Sequence, residues 1–225
     1  MAEDTDTYPS VPDDRLSESG WKLQSKTAET VFELPTVSVT GYTLVYEDSR
    51  LREAIEAAGI GGSVPTASER SQRIGTEAEG GVSRFFFATA LSFRPSLPPK
   101  IGPTALRPTV EHQARRRFTD DLEARGFEEI EHGGSQRVRT DTGARARLRR
   151  LTATLPLGSD STPERLDIEG LLAVWVTDGS FLIAGGAYPT GGLGVVLDSH
   201  SGLEHGGTDP GQFRSELLSL IRGVR

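Results

Sequence analysis

Arginine is the residue type in this chain whose spacing most suits chemistry. Arg137 and Arg139 precede the turn-like run Thr140-Asp-Thr-Gly143, and Arg145, Arg147 and Arg149 follow it. In a β-hairpin, residues two apart share a face, so all five would project together. Arg115, Arg116 and Arg117 stand just upstream, on what the pattern makes an adjacent helix. Planar guanidinium groups bind carboxylate or phosphate through two parallel hydrogen bonds. Such a face suits an acidic protein, a small anion or nucleic acid. Two features weigh against nucleic acid: a formal net charge of −7, and the lack of aromatic side chains among these arginines on which bases could stack. The competing reading is that Glu123, Glu128, Glu129 and Glu131 neutralise the arginines as ordinary surface ion pairs, each worth little.

Other chemistry is thinner. Asp198, His200, Glu204 and His205 share a Gly-rich stretch, but His-x-x-x-Glu-His with Gly202 inside it does not match the helical spacing of a zinc protease. It reads as a polar surface loop, and no metal or cofactor is expected. Gly185, Gly186, Gly191, Gly192 and Gly194 lack the Lys-Ser/Thr that completes a phosphate loop, so turns and close backbone packing account for them. The neighbouring carboxylates at 13–14, 120–121 and 128–129 diverge from one another and read as solvated charge. Cysteine is absent, which excludes disulfides, thiolate metal sites and cysteine nucleophiles. No catalytic residue is assigned. A small-ligand binder or enzyme would need a pocket beneath the loops at 59–81 and 189–208.

The elements that must hold the arginines follow from periodicity. Composition places an acidic, largely disordered segment at 1–30, with a short element at 15–28 pinned by Trp21, before a single α+β domain at 31–225. A β-rich run covers Phe32–Tyr46, irregular at Pro35 and Gly41. A helix capped by Asp48 or Ser49 ends at Gly59. The next strand, Val82–Phe93, leads through prolines 95, 98, 99, 103 and 108 to a helix capped by Thr109 and closed by Gly126. In the arginine hairpin, Ala146 and Leu148 keep an apolar row with Leu151, Ala153 and Leu155 only if one residue is skipped, which predicts a β-bulge at Arg149–Arg150. Strands around Asp178-Gly179 form a second hairpin, and a short strand is expected at Val195–Leu197. Asp209-Pro210-Gly211-Gln212 opens the last helix. The order β-α-β-α-β-β-β-β-β-α predicts an α+β fold: a mostly antiparallel sheet with about three helices packed on one face.

The helix from Thr109-Val-Glu-His to Gly126-Phe127-Glu128, the Arg-rich strand pair, Leu171-Leu-Ala-Val-Trp-Val176, Phe181-Leu-Ile-Ala-Gly-Gly-Ala-Tyr-Pro189 and the closing helix appear in that order. This layout of residues 82–225 resembles the PsbP/Mog-like group. The whole chain also resembles uncharacterised haloarchaeal proteins. The first resemblance implies a non-catalytic accessory or protein-interaction module, and hence an unknown protein partner.

Composition is consistent with that origin. The 225 residues carry 32 acids against 25 bases, and only three of the bases are lysines (Lys22, Lys26, Lys100). Excess carboxylate and arginine suit a salt-adapted cell, where self-repulsion is screened over about 3 Å at molar salt. The acidity is concentrated at 1–69, with 13 acids and 5 bases, whereas 107–150 holds 8 acids and 11 arginines. No stretch reaches the roughly 18 apolar residues of a membrane span. Met1–Pro12 does not resemble a secretory or transit signal, so a cytoplasmic location is expected.

Overall fold

The computed structural model describes residues 8–34, 37–57, 84–95, 103–157, 164–193 and 209–225. They form an α+β fold with one seven-stranded sheet. In chain order the elements are α1 (Asp13–Glu18), β1 (Trp21–Leu34), β2 (Val37–Asp48), α2 (Ser49–Ala57), β3 (Phe85–Arg94), α3 (Pro103–Ala124), β4 (Glu128–Arg139), β5 (Arg145–Leu157), β6 (Glu164–Thr177), β7 (Ser180–Gly191) and α4 (Pro210–Gly223). The strand order is β1-β2-β3-β7-β6-β5-β4, and every neighbouring pair is antiparallel. Asp178 and Gly179 both take positive φ, 49° and 81°, as a two-residue primed turn requires.

Helices cover both faces of the sheet, not one. Phe85 and Phe87 turn their rings to Phe118 of α3, with centroids 6.4 and 5.4 Å apart. Phe86, between them, points to the opposite face, where Trp21 and Tyr46 lie 6.4 and 6.1 Å away. Gly186, paired with Phe86, faces Leu217 of α4. A methyl there would meet Leu217 and the Phe85 carbonyl, so this glycine serves close packing. β6 is consequently apolar on both sides, and Leu171, Leu172, Ala173, Val174 and Trp175 are all buried. Each buried Leu or Val among them contributes about 1.5–3 kcal/mol.

Double coverage also removes the predicted bulge at Arg149–Arg150. β5 pairs with β6 in unbroken register from Arg147↔Val174 to Leu157↔Glu164. Ala146 and Leu148 face the α4 side, while Leu151, Ala153 and Leu155 face the α3 side. The apolar row changes face because the core does. The extra residues sit instead in β4, where the register shifts between Glu128 and Glu131 and again between His132 and Ser135, across Gly133-Gly134. These shifts kink and charge the first half of β4, which resists pairing with stray chains, whereas Ser135–Arg139 stays in regular register.

The N-terminal region is more ordered than its composition implies. β1 starts at Trp21, ahead of the boundary placed at residue 31, and the 32–46 run divides into the end of β1 and most of β2. Ahead of β1, Leu16 of α1 is buried at 2 % exposure. Ser10 and Arg225 exchange two backbone hydrogen bonds, at 2.7 and 2.9 Å. Those contacts with the far end of the chain offset the ordering cost of a polar stretch. α3 likewise begins at Pro103, six residues before Thr109, with Pro108 inside it. A proline so near a helix start forfeits a single i→i−4 bond. The strand expected at Val195–Leu197 lies outside the described residues, as do residues 1–7 and Pro35.

Arg84 gathers the N-terminal strands and α4. It is 2 % exposed, and its Nη1 donates to Asp48 Oδ2 at 3.0 Å while its Nη2 lies 2.9 Å from Glu216 Oε2. Its guanidinium stacks 4.8 Å from the Trp21 ring and 4.5 Å from the Phe213 ring. Trp21 Nε1 also donates to Glu216, at 2.6 Å. Asp48 has a second task, since its Oδ1 accepts from the Arg50 and Leu51 amides and caps α2. Arg84→Met leaves two carboxylates without their cation, and the expected loss is about 3–5 kcal/mol. Urea unfolding checks this. A change under about 1 kcal/mol would show that the cluster is incidental.

Candidate functional site

The β4–β5 hairpin carries its arginines as the spacing requires. Arg137 stands directly opposite Arg147, and Arg139 directly opposite Arg145. Arg149 pairs with Leu172, and Arg147 with Val174, which places these side chains on the α3 side of the sheet. Arg137, Arg139, Arg145 and Arg147 are exposed and Arg149 is half-buried. The amide of Thr140 donates to the Ala144 carbonyl at 3.0 Å. Ladder alternation then makes 138/146 and 136/148 the hydrogen-bonded pairs. The two Arg–Arg pairs therefore fall at the non-hydrogen-bonded positions, where Cα atoms are only about 4.5 Å apart.

One carboxylate answers them among the described residues. Glu111 of α3 is 9 % exposed, and its Oε2 lies 3.7 Å from Arg147 and 3.6 Å from Arg149, while its Oε1 takes Arg107 Nε at 3.0 Å. Arg137 and Arg145 have no carboxylate partner among the described residues, and Arg139 reaches no farther than the Gly143 carbonyl of its own turn, at 3.5 Å. None of Glu123, Glu128, Glu129 and Glu131 pairs with a hairpin arginine; Glu129 lies beside Arg165 at 3.7 Å instead. Sequence reasoning overlooked Glu111. Its one local signal is Arg107 four residues earlier.

The three helix arginines separate by helical geometry. Arg115, half-buried, stands one turn after Glu111, whose side chain reaches Arg147 and Arg149. Arg116 points away and pairs loosely with Asp120, at 3.9 Å. Arg117 turns toward the other edge of the sheet and meets Glu29 of β1 at 2.8 Å. The structure thus gathers Arg137, Arg139, Arg145, Arg147 and Arg149, with Arg115 alongside, and leaves out Arg116.

A second charged cluster was not anticipated. Arg150 points to the α4 side, where its Nη1 lies 3.4 Å from Glu169 Oε2. Arg214 Nε donates to Glu169 Oε1 at 3.2 Å, and the buried Tyr188 hydroxyl donates to the same oxygen. Burial first, then the bond to Glu169, push the Tyr188 hydroxyl far above its ordinary value, so it stays a phenol donor. Nearby, a shallow open trough of about 760 Å³ is lined by Glu129, Glu131, Asp167, Thr152, Thr154 and Thr190. Among the described residues no group of His, Asp and Glu is placed to hold a metal. The Asp198–His205 cluster and Gly194 lie outside the described residues, as do most of the loops expected to roof a pocket. No helix among the described residues is long and apolar enough to cross a membrane.

A family model described as Domain of unknown function (DUF6517) matches residues 8–225, and the chain belongs to that family. No curated protein matches it.

The Tyr188 geometry predicts a pH response. The hydroxyl's folded value exceeds its unfolded 10.0, so the stability it supplies is complete below pH 10 and declines as pH rises beyond it. Tyr188→Phe should cost about 1–3 kcal/mol at pH 7 by stripping a donor from buried Glu169. It should also flatten the alkaline loss of stability, read by urea midpoints from pH 8 to 11. An alkaline slope as steep as that of the parent chain would reject the assignment.

Proposed function

We propose that this DUF6517 chain is a non-catalytic accessory module that docks an acidic partner protein on the β4–β5 arginine face. The reading rests on one observation: two Arg–Arg pairs directly opposed at the closest positions of a β-ladder, with Glu111 as the sole carboxylate drawn to that face among the described residues. Like charges so placed weaken a hairpin, and a bound anionic surface relieves the repulsion. Glu111 lies within ion-pair range of two of the guanidinium groups and biases them toward one face before any partner arrives. The layout's resemblance to PsbP/Mog-like proteins supports an accessory role. The arginine-for-lysine bias supports a haloarchaeal setting. In high salt, long-range attraction is screened, so recognition there depends on contact-range bidentate pairing.

Fluorescence anisotropy with labelled poly-glutamate and labelled single-stranded DNA tests the reading. The parent chain should bind poly-glutamate, and the pair Arg145→Glu with Arg147→Glu should weaken it at least about tenfold. Arg145→Thr should lower affinity while leaving the urea midpoint equal or higher, because it removes a like-charge contact. Tight DNA binding with no poly-glutamate binding would replace the acidic-protein reading with a nucleic-acid one.

A further inference from the structure

We infer that the free edge of β4 at Ser135–Arg139 accepts an added strand from the partner, with carboxylates at alternate positions and an apolar residue between them. This rests on the acidic-partner reading and specifies how the partner is held.

β4 is the last strand of the sheet, so among the described residues one side of its backbone has no strand beside it. The Thr140–Ala144 bond sets the phase of the ladder: Gln136 and Val138 direct their amides and carbonyls at β5, and Ser135, Arg137 and Arg139 direct theirs outward. Arg222 Nε occupies the Arg139 carbonyl at 3.0 Å. Among the described residues nothing else occupies the Arg139 amide or the backbone groups of Arg137 and Ser135, which can therefore receive a strand. An isolated unpaired edge of this kind is the usual substrate for strand addition.

Side chains decide which strand. In antiparallel addition, the mode of every strand pair in this sheet, the residue hydrogen-bonded to Arg137 across the new ladder projects on the same face as Arg137, about 4.5–5.5 Å from it at Cβ. Its neighbours two residues away stand beside Arg139 and Ser135. Carboxylates at those places meet Arg137 and Arg139 first, with Arg147 and Arg145 directly behind them on β5. The intervening residue lies on the opposite face beside Val138, which is half-buried and packed against the core, so an apolar side chain fits there. The result is an acid–apolar–acid segment. The first half of β4 cannot extend the site, because its two register shifts break the edge and Glu128, Glu129 and Glu131 repel an acidic strand.

The test is isothermal titration of the full chain, at about 0.1 M salt, with three peptides of equal composition. One alternates Asp and Val over seven residues, one groups its Asp residues in a block, and one repeats the alternating sequence with N-methyl groups on its Asp residues. A control carries N-methyl groups on its Val residues. The alternating peptide should bind at least about tenfold tighter than the block peptide. Methylation at Asp should abolish the gain, because those amides face β4, and methylation at Val should not. Ser135→Pro, which removes one outward amide and keeps every arginine, should also lose the gain. Equal binding of alternating and block peptides, or indifference to Asp methylation, would overturn strand addition while the charged-face reading survives. No binding of any peptide would overturn both.

Discussion

A buried guanidinium is tolerable only when its charge is met, and Arg84 meets its obligation with groups from both ends of the chain. Trp21 opens β1, Asp48 closes β2, and Phe213 and Glu216 belong to the final helix. Removing Arg84 strands two carboxylates at once, and removing either carboxylate leaves the buried guanidinium half-compensated, so the charged members act together. The consequence reaches the arginine face. Fixing α4 over the sheet fixes its last turn, where the Arg222 carbonyl accepts the Asp141 amide at 2.8 Å and the Arg222 side chain holds the Arg139 carbonyl. The turn of the β4–β5 hairpin is thereby tied to the core through α4, and the hairpin is presented as a fixed surface.

What was legible in the sequence was what depends on local pattern. Asp178-Gly179 marked its turn because two successive positive φ values need that chemistry. Asp209-Pro210 marked the start of α4, where the Asp209 side chain accepts the Gly211 amide at 2.8 Å. The arginine alternation survived because residues two apart share a face wherever the strand lies. What was not legible depends on partners distant in sequence. Leu148 and Leu151 cannot share a face in a regular strand, and a bulge was the natural answer if one face is buried. A second helix on the other face is an equally good answer, and nothing local to 145–157 distinguishes them. Trp21 and Leu16 sit in polar, acidic surroundings whose order comes from contacts with the last residues of the chain.

The same limit explains Glu111. A glutamate in the early turns of a helix is ordinary, and its role appears only once α3 packs on the sheet and Glu111 comes within reach of Arg147 and Arg149. Arg150 makes the complementary point. It closed a run of basic residues in the sequence, yet the pleat sends it to the opposite face from Arg149, where Glu169 and Arg214 await it. Adjacent arginines thus belong to two separate electrostatic systems, one open to solvent and one resting on a buried tyrosine.

The two-faced burial of β5 also bears on how the chain finds its fold. A strand with one apolar face can slide by two residues and still bury something. β5 cannot, because Leu148 must enter one core while Leu151 enters the other, and a slip in either direction moves an arginine into one of them. Misregistered intermediates of the β4–β5–β6 region are therefore high in energy from the outset. The correct register is rewarded in full only after α3, which precedes it in sequence, and α4, which ends the chain, have both docked.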